Sequence, residues 1–286
     1  MLIKMEIRRH IHNIKVLVKF NLMIEMRYPL SYMSGLLNMF FWMLSFSILV
    51  MMLSRGTSGG MIVGNLIMWG FVAYIMFQGL IGEVGFGIAR LQRRGTLEQI
   101  FLTPISPWIL PIGLAGFTII IHIIFVAAAV FLFVALMRIE LIVANPIGGI
   151  LAGILFLAMS YGLALLYAGW AIKAKRSGWA LINAIQIVVM LFCGVFYSFR
   201  GAPKAVVMVS KLIPLSYAID LLRTTIVGIE PELIPSKACI FGVMVSGVVL
   251  EWVLVFVLSI VILWLGYTYL LRTLKDAKVK GYLATY

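Results

Sequence analysis

Apolar runs too long for a soluble core to hide set the first limit on this chain. Residues 30–53 contain no charged side chain, and a helix rising about 1.5 Å per residue needs only some 20 residues to cross a hydrocarbon layer of roughly 30 Å. Comparable runs follow at 61–82, 108–137, 146–172 and 178–198, with a last one inside 238–271. Across the 286 residues, 63% are hydrophobic and 12% charged, and the mean hydropathy is +1.11. In lipid every backbone amide must be satisfied within its own segment or a closed barrel. Apolar runs of this length therefore predict an all-α integral membrane protein with six transmembrane helices.

The connections carry the rest of the pattern. Residues 1–29 predict an amphipathic interfacial helix, with Ile3, Ile7, Ile11, Ile14 and Val18 on one face and Lys4, Arg8, Lys15 and Lys19 beside it. A solvated basic leader is the simpler alternative. The remainder, 30–286, reads as one six-span domain. Within it, residues 83–108 interrupt the second and third runs with Arg90, Arg93 and Arg94. Thr96 and Gln99 have capping-box spacing, Glu98 suits a helix first turn, and Pro104 ends the ladder. A short helix starting at Thr96 follows, and Leu97, Ile100 and Phe101 share one face of it, an apolar surface to present to a partner or to lipid headgroups.

Residues 200–237 break the spanning pattern. The apolar pieces 205–213 and 215–227 are each too short to cross, and Pro214 separates them. They predict a re-entrant pair of half-helices, which has to pack against protein. Of the 23 Lys and Arg, only Arg55, Arg138 and five between Arg200 and Lys237 fall on one side of the predicted spans. The basic excess places both termini and the central loop in the cytoplasm and the half-helix pair outside.

Polar groups within the runs are few. Asn38, Asn65, Gln78, Asn183 and Gln186 either line a route or bond between helices. Glu251 costs roughly 2.5–3.5 kcal/mol at a helix centre if ionised, so it must meet protein, water, a proton or a partner. His122 is one candidate partner. Glu251 reads equally as a transport residue or as a satisfied buried acid. Cys193 and Cys239 both fall toward the outer side, as two buried thiols or one disulfide. No phosphate loop, metal-ligand spacing or nucleophile elbow is present. The +13 net charge flanks apolar runs rather than forming a polar domain, which argues against nucleic acid.

Two blocks resemble a known family. Arg94-Gly-Thr-Leu-Glu-Gln-Ile100 with Thr103-Pro104, and Leu212-Ile-Pro-Leu-Ser-Tyr-Ala-Ile-Asp-Leu-Leu-Arg223 followed by Gly228, resemble the cytoplasmic loop and the Pro-Leu-(Ser/Thr)-Tyr block of ATP-binding-cassette type-2 permeases. The resemblance implies a six-span exporter subunit of a prokaryotic plasma membrane. It implies no catalytic or cofactor site of the chain's own, with ATP bound by two copies of a separate ATPase subunit. It also implies a second permease, identical or paralogous. Thr96, Leu97, Glu98, Gln99, Ile100 and Phe101 would form the coupling helix, and Pro214, Tyr217, Asp220 and Arg223 the outer gate. The substrate class is an amphipathic drug, lipid or glycan. An ion-driven secondary transporter and a non-transporting scaffold remain as alternatives.

Overall fold

A computed structural model describes residues 2–27, 60–103, 106–137, 140–174, 178–240 and 243–279, together with scattered helical positions between 30 and 48. Most of the predicted first span and its following turn therefore lie outside the described residues. The elements in order are α1 (Leu2–Arg27), α2 (Gly60–Leu80), a π-helical segment (Ile81–Phe86) running into α3 (Gly87–Arg93), α4 (Thr96–Leu102), α5 (Ile109–Met137), α6 (Pro146–Ala174), α7 (Gly178–Phe192), α8 (Lys204–Leu212), α9 (Pro214–Val227), the strands β1 (Lys237–Ile240) and β2 (Val243–Ser246), and α10 (Gly247–Val279). Among the described residues four helices are long and apolar enough to cross a membrane, and the α8–α9 pair, bent by 106°, makes a fifth if counted as one span.

Several boundaries depart from the sequence reading. The second run does not stop at Gly82 but continues as helix to Arg93 through the π-helical segment. Gly85 lets this continuation pack closely: a Cβ there would sit 2.7 Å from the Tyr167 ring and 3.2 Å from the Ala164 carbonyl. The glycine thus lets the helix press on α6 instead of ending it. Helix α7 is shorter than expected, 15 residues, because the chain turns at Gly194, whose φ is +65°. The expected all-α architecture is also interrupted by a hairpin pairing Lys237 with Ser246 through Ile240 with Val243, so the last helix begins at Gly247. Three of the tail cations, Arg272, Lys275 and Lys278, continue that helix, while Lys280 lies outside the described residues.

The central packing unit is α6 against α10, flanked by the π-helical segment and α9 on other faces of α6. Close approach there depends on small residues. A Cβ at Gly162 would lie 2.7 Å from the Leu263 amide nitrogen, and one at Gly266 would collide with the Gly162 carbonyl oxygen. Backbone contacts of this kind are how helices associate where lipid is as apolar as leucine. Gly266→Ala is expected to cost about 1–3 kcal/mol by forcing the helices apart. Thermal unfolding of the reconstituted protein checks this, and an unchanged transition would refute the contact. Gly149 and Gly153, spaced as a small-residue pair, seat α9 through Ile226 and Leu222.

Helix α1 lies along α5, with Leu17 and Val18 against Gly113 and Gly116 and the His10 ring tilted against Trp108, 4.9 Å between ring centres. Arg8, Arg9, Lys15 and Lys19 are exposed, and so are Ile11, Val16 and Phe20. Of the predicted aliphatic stripe, Ile14 and Val18 are partly buried and Ile11 is exposed, while the side chains of Ile3 and Ile7 lie outside the described residues.

Candidate functional site

A cavity of about 730 Å³ opens between α2, α5, α7 and the helical positions around 35–42. Its wall gathers four of the five intramembrane amides, Asn38, Gln78, Asn183 and Gln186, with His122 and Glu83, among the rings of Trp42, Phe71, Tyr74, Phe117, Phe125 and Phe196. Each amide offers both donor and acceptor, so the wall can hydrogen-bond uncharged polar groups while the aromatic faces take apolar ones. His122 Nδ1 contacts the Thr118 carbonyl at 2.9 Å, and its ring lies over Gly79, where any Cβ would collide with it. Glu83 pairs with Arg90 at 2.9 Å, both partly exposed, a bond worth at most about 1 kcal/mol. The fifth amide is structural. Asn65 donates to the Glu140 carbonyl at 3.0 Å and accepts from the Ile142 amide at 2.9 Å, fixing the chain after α5.

A second site lies where α9 meets the end of α7. The Arg223 guanidinium is fully buried and spends all its donors on protein. Nε reaches Asp220 at 3.3 Å, Nη2 reaches Asp220 at 3.1 Å and Glu232 at 2.7 Å, and Nη1 donates to the Gly194 and Tyr197 carbonyls at 2.5 and 2.7 Å. The local Asp220–Arg223 pair expected from spacing is present, but it belongs to a larger knot. The other Asp220 oxygen accepts from the Glu232 and Leu233 amides at 2.9 and 3.0 Å. Glu232 also takes the Ser198 hydroxyl and the Phe199 amide. Phe199 lies under the guanidinium, 4.8 Å from its ring centre. Arg223 thus holds the turn after α7 against α9, and by capturing the Gly194 carbonyl it explains why α7 ends early. Glu232 escaped the sequence reading. The available signal was two acids, Glu230 and Glu232, just beyond a half-helix carrying an apolar-flanked arginine.

Pro214 opens α9 at its first position, and the Tyr217 hydroxyl donates to the Lys211 carbonyl at 3.1 Å across the bend. These two members of the expected gate brace the elbow and do not join the ionic knot. Glu251 of α10 is fully buried, and neither carboxyl oxygen has a hydrogen-bond partner. Its electrostatic neighbours are Asp220, Arg223 and Glu232. The suggested pairing with His122 is not formed, because His122 faces the α2–α5–α7 cavity. Cys193 is buried and free, taking the Ser216 hydroxyl at 3.3 Å. The Cys239 side chain lies outside the described residues.

Helix α4 forms where expected, but its cap and its face differ. The N-cap is Gly95, with φ +69° and no side-chain cap bond, so the Thr96–Gln99 box is not made. The left-handed turn is accessible to glycine without the Cβ clash. Leu97 points into the protein, fully buried with Leu80, Val84, Ile88, Leu110 and Leu114, and Ile100 packs beside it. The outward face is Glu98, Gln99 and Leu102, the last 83% exposed. The Phe101 side chain and Pro104 lie outside the described residues. Leu97 and Ile100 do share one face as the periodicity predicts, but that face is turned into the protein rather than toward a partner or lipid headgroups.

Membrane-length helices around an amide-lined cavity, with a short helix braced at one end, define a multi-pass membrane protein of the transporter class. The family model described as ABC-2 type transporter matches residues 12–227, a range that includes both α4 and the Pro214–Arg223 block. The chain belongs to this family and is a transporter permease subunit, a membership that implies an ABC ATPase partner. No curated protein matches the chain.

Proposed function

We propose that this chain is the membrane half of an ATP-driven exporter, two permeases working with two ATPase subunits that supply ATP hydrolysis. The observation that carries the reading is the cavity, in which four amides and His122 from separate helices converge between aromatic rings. Such a wall suits an amphipathic substrate of the drug, lipid or glycan class. In this reading the protein has six spans, both termini lie in the cytoplasm of a prokaryotic cell, α4 is the coupling helix, and the bent α8–α9 pair is an outer re-entrant gate. Closure of the ATPases pushes α4, whose buried Leu97 transmits the push to α2 and α5, two walls of the cavity.

The test is reconstitution in liposomes with the ATPase that co-purifies. Uptake that requires ATP, and falls severalfold in an Asn183→Leu, Gln186→Leu double variant that still binds the ATPase, supports the reading. ATP-independent uptake driven by an ion gradient would replace it with a secondary transporter. A chain that binds no ATPase would leave a scaffold.

A further inference from the structure

Beside the ionic knot lies a second, smaller chamber of about 180 Å³, many times the roughly 10–15 Å³ a single water needs. Thr224, Thr225 and Gly228 at the end of α9 line it, with Asn145, Glu251 and Trp252. Three features make it a place for positive charge. The first is Glu251, a fully buried carboxyl with both oxygens unpartnered, set in the chamber wall. A buried charge without a partner costs several kcal/mol or more, so such a group is neutralised.

The second feature is an acid surplus. Asp220, Glu232 and Glu251 stand within electrostatic reach of one another. Against them are the fully committed Arg223 and an Arg200 that is 62% exposed and 3.9 Å from Glu232. Asp220 and Glu232 are already satisfied by Arg223, backbone amides and the Ser198 hydroxyl, which leaves Glu251 as the uncompensated member. The third is the helix end itself. Helix α9 stops at Val227, with Gly228 in the left-handed conformation, and Thr224, Thr225 and Gly228 of that end line the chamber, so the negative end of its dipole lies beside it.

We propose that this chamber is a binding site for one small monovalent metal cation, with Glu251 as its anionic ligand and hydroxyl, carbonyl and water oxygens completing the shell. A single carboxylate among neutral oxygens suits an alkali ion. Calcium sites usually collect several carboxylates, and among the described residues no cluster of three His, Cys, Asp or Glu could hold a metal. The ion would tie the start of α10 to the end of α9 and complete the charge balance of the knot. The site is independent of the transport reading, because its readout is stability rather than flux.

The experiment is thermal unfolding of the full-length permease in lipid nanodiscs, titrated with NaCl, LiCl and KCl against choline chloride at constant ionic strength and pH. An ion that binds only the folded state raises the transition saturably. The expected result is such a rise with at least one alkali ion in the wild type, and roughly tenfold or greater weakening of its apparent affinity in Glu251→Gln. Thr225→Val, which removes one hydroxyl and no charge, is expected to weaken it by a smaller factor and covers the case in which the Gln variant does not fold. Equal ion responses in wild type and both variants overturn the proposal. So does a wild-type protein that responds to pH but to none of the three ions, since the carboxyl then holds a proton alone.

Discussion

Replacing Arg223 with leucine is expected to destabilise the permease by about 3–5 kcal/mol, the range found when one partner of a buried ion pair is removed. The size follows from what is left behind. Asp220 and Glu232 would remain buried without their shared cation, and the Gly194 and Tyr197 carbonyls would lose a donor at 2.5 and 2.7 Å. Arg223→Lys should not rescue it, because an ammonium group cannot reproduce five donors in a planar fork. A triple change, Asp220→Asn, Glu232→Gln and Arg223→Met, removes all three charges together and is expected to recover much of the loss. Thermal unfolding in nanodiscs measures all three variants. A loss below about 1 kcal/mol in Arg223→Leu would mean that the knot is not the closed, dry arrangement described here.

The knot also shows what the sequence can and cannot reveal. The half-helices were legible because Pro214 and segment length are local properties. The i, i+3 spacing of Asp220 and Arg223 predicts their pair for the same reason. Glu232 and the two carbonyls come from segments 9 to 29 positions away in the chain, and no periodicity links them. The amide cavity is similar. Each of Asn38, Gln78, Asn183 and Gln186 was visible as a polar residue in an apolar run, yet only helix packing decides that these four face one space while Asn65 braces a loop. Gly85 resembles a helix stop in one dimension, whereas its missing Cβ serves close contact with Tyr167. The hairpin at Lys237–Ser246 was missed because its apolar residues read as the start of a span.

Helix α4 offers the sharpest separation of fold from coupling. Leu97→Asp is expected to unfold the protein locally or globally, since it places a charge among Leu80, Val84, Ile88, Leu110 and Leu114, where no partner exists to offset its desolvation. Leu102→Asp with Glu98→Arg changes only exposed positions, so stability should move by less than about 0.5 kcal/mol per site. In the proposed coupling reading the same double variant is expected to lose nearly all ATP-dependent transport and most of the co-purifying ATPase, because Glu98, Gln99 and Leu102 are the exposed face of α4 that a partner would grip. Melting temperature, pulled-down ATPase and liposome uptake, measured on the same preparations, distinguish the two outcomes. Had the apolar stripe faced the partner, Leu97→Asp would be the silent folding variant and the coupling-deficient one. The burial of Leu97 reverses that assignment, and it also gives α4 its mechanical sense. Leu97 and Ile100 share one buried cluster with Leu80 of α2 and with Leu110 and Leu114 of α5, so in the proposed reading a force on the outer face of α4 reaches the cavity walls through packed side chains. Full transport in the Glu98–Leu102 double variant would refute both the docking face and that route.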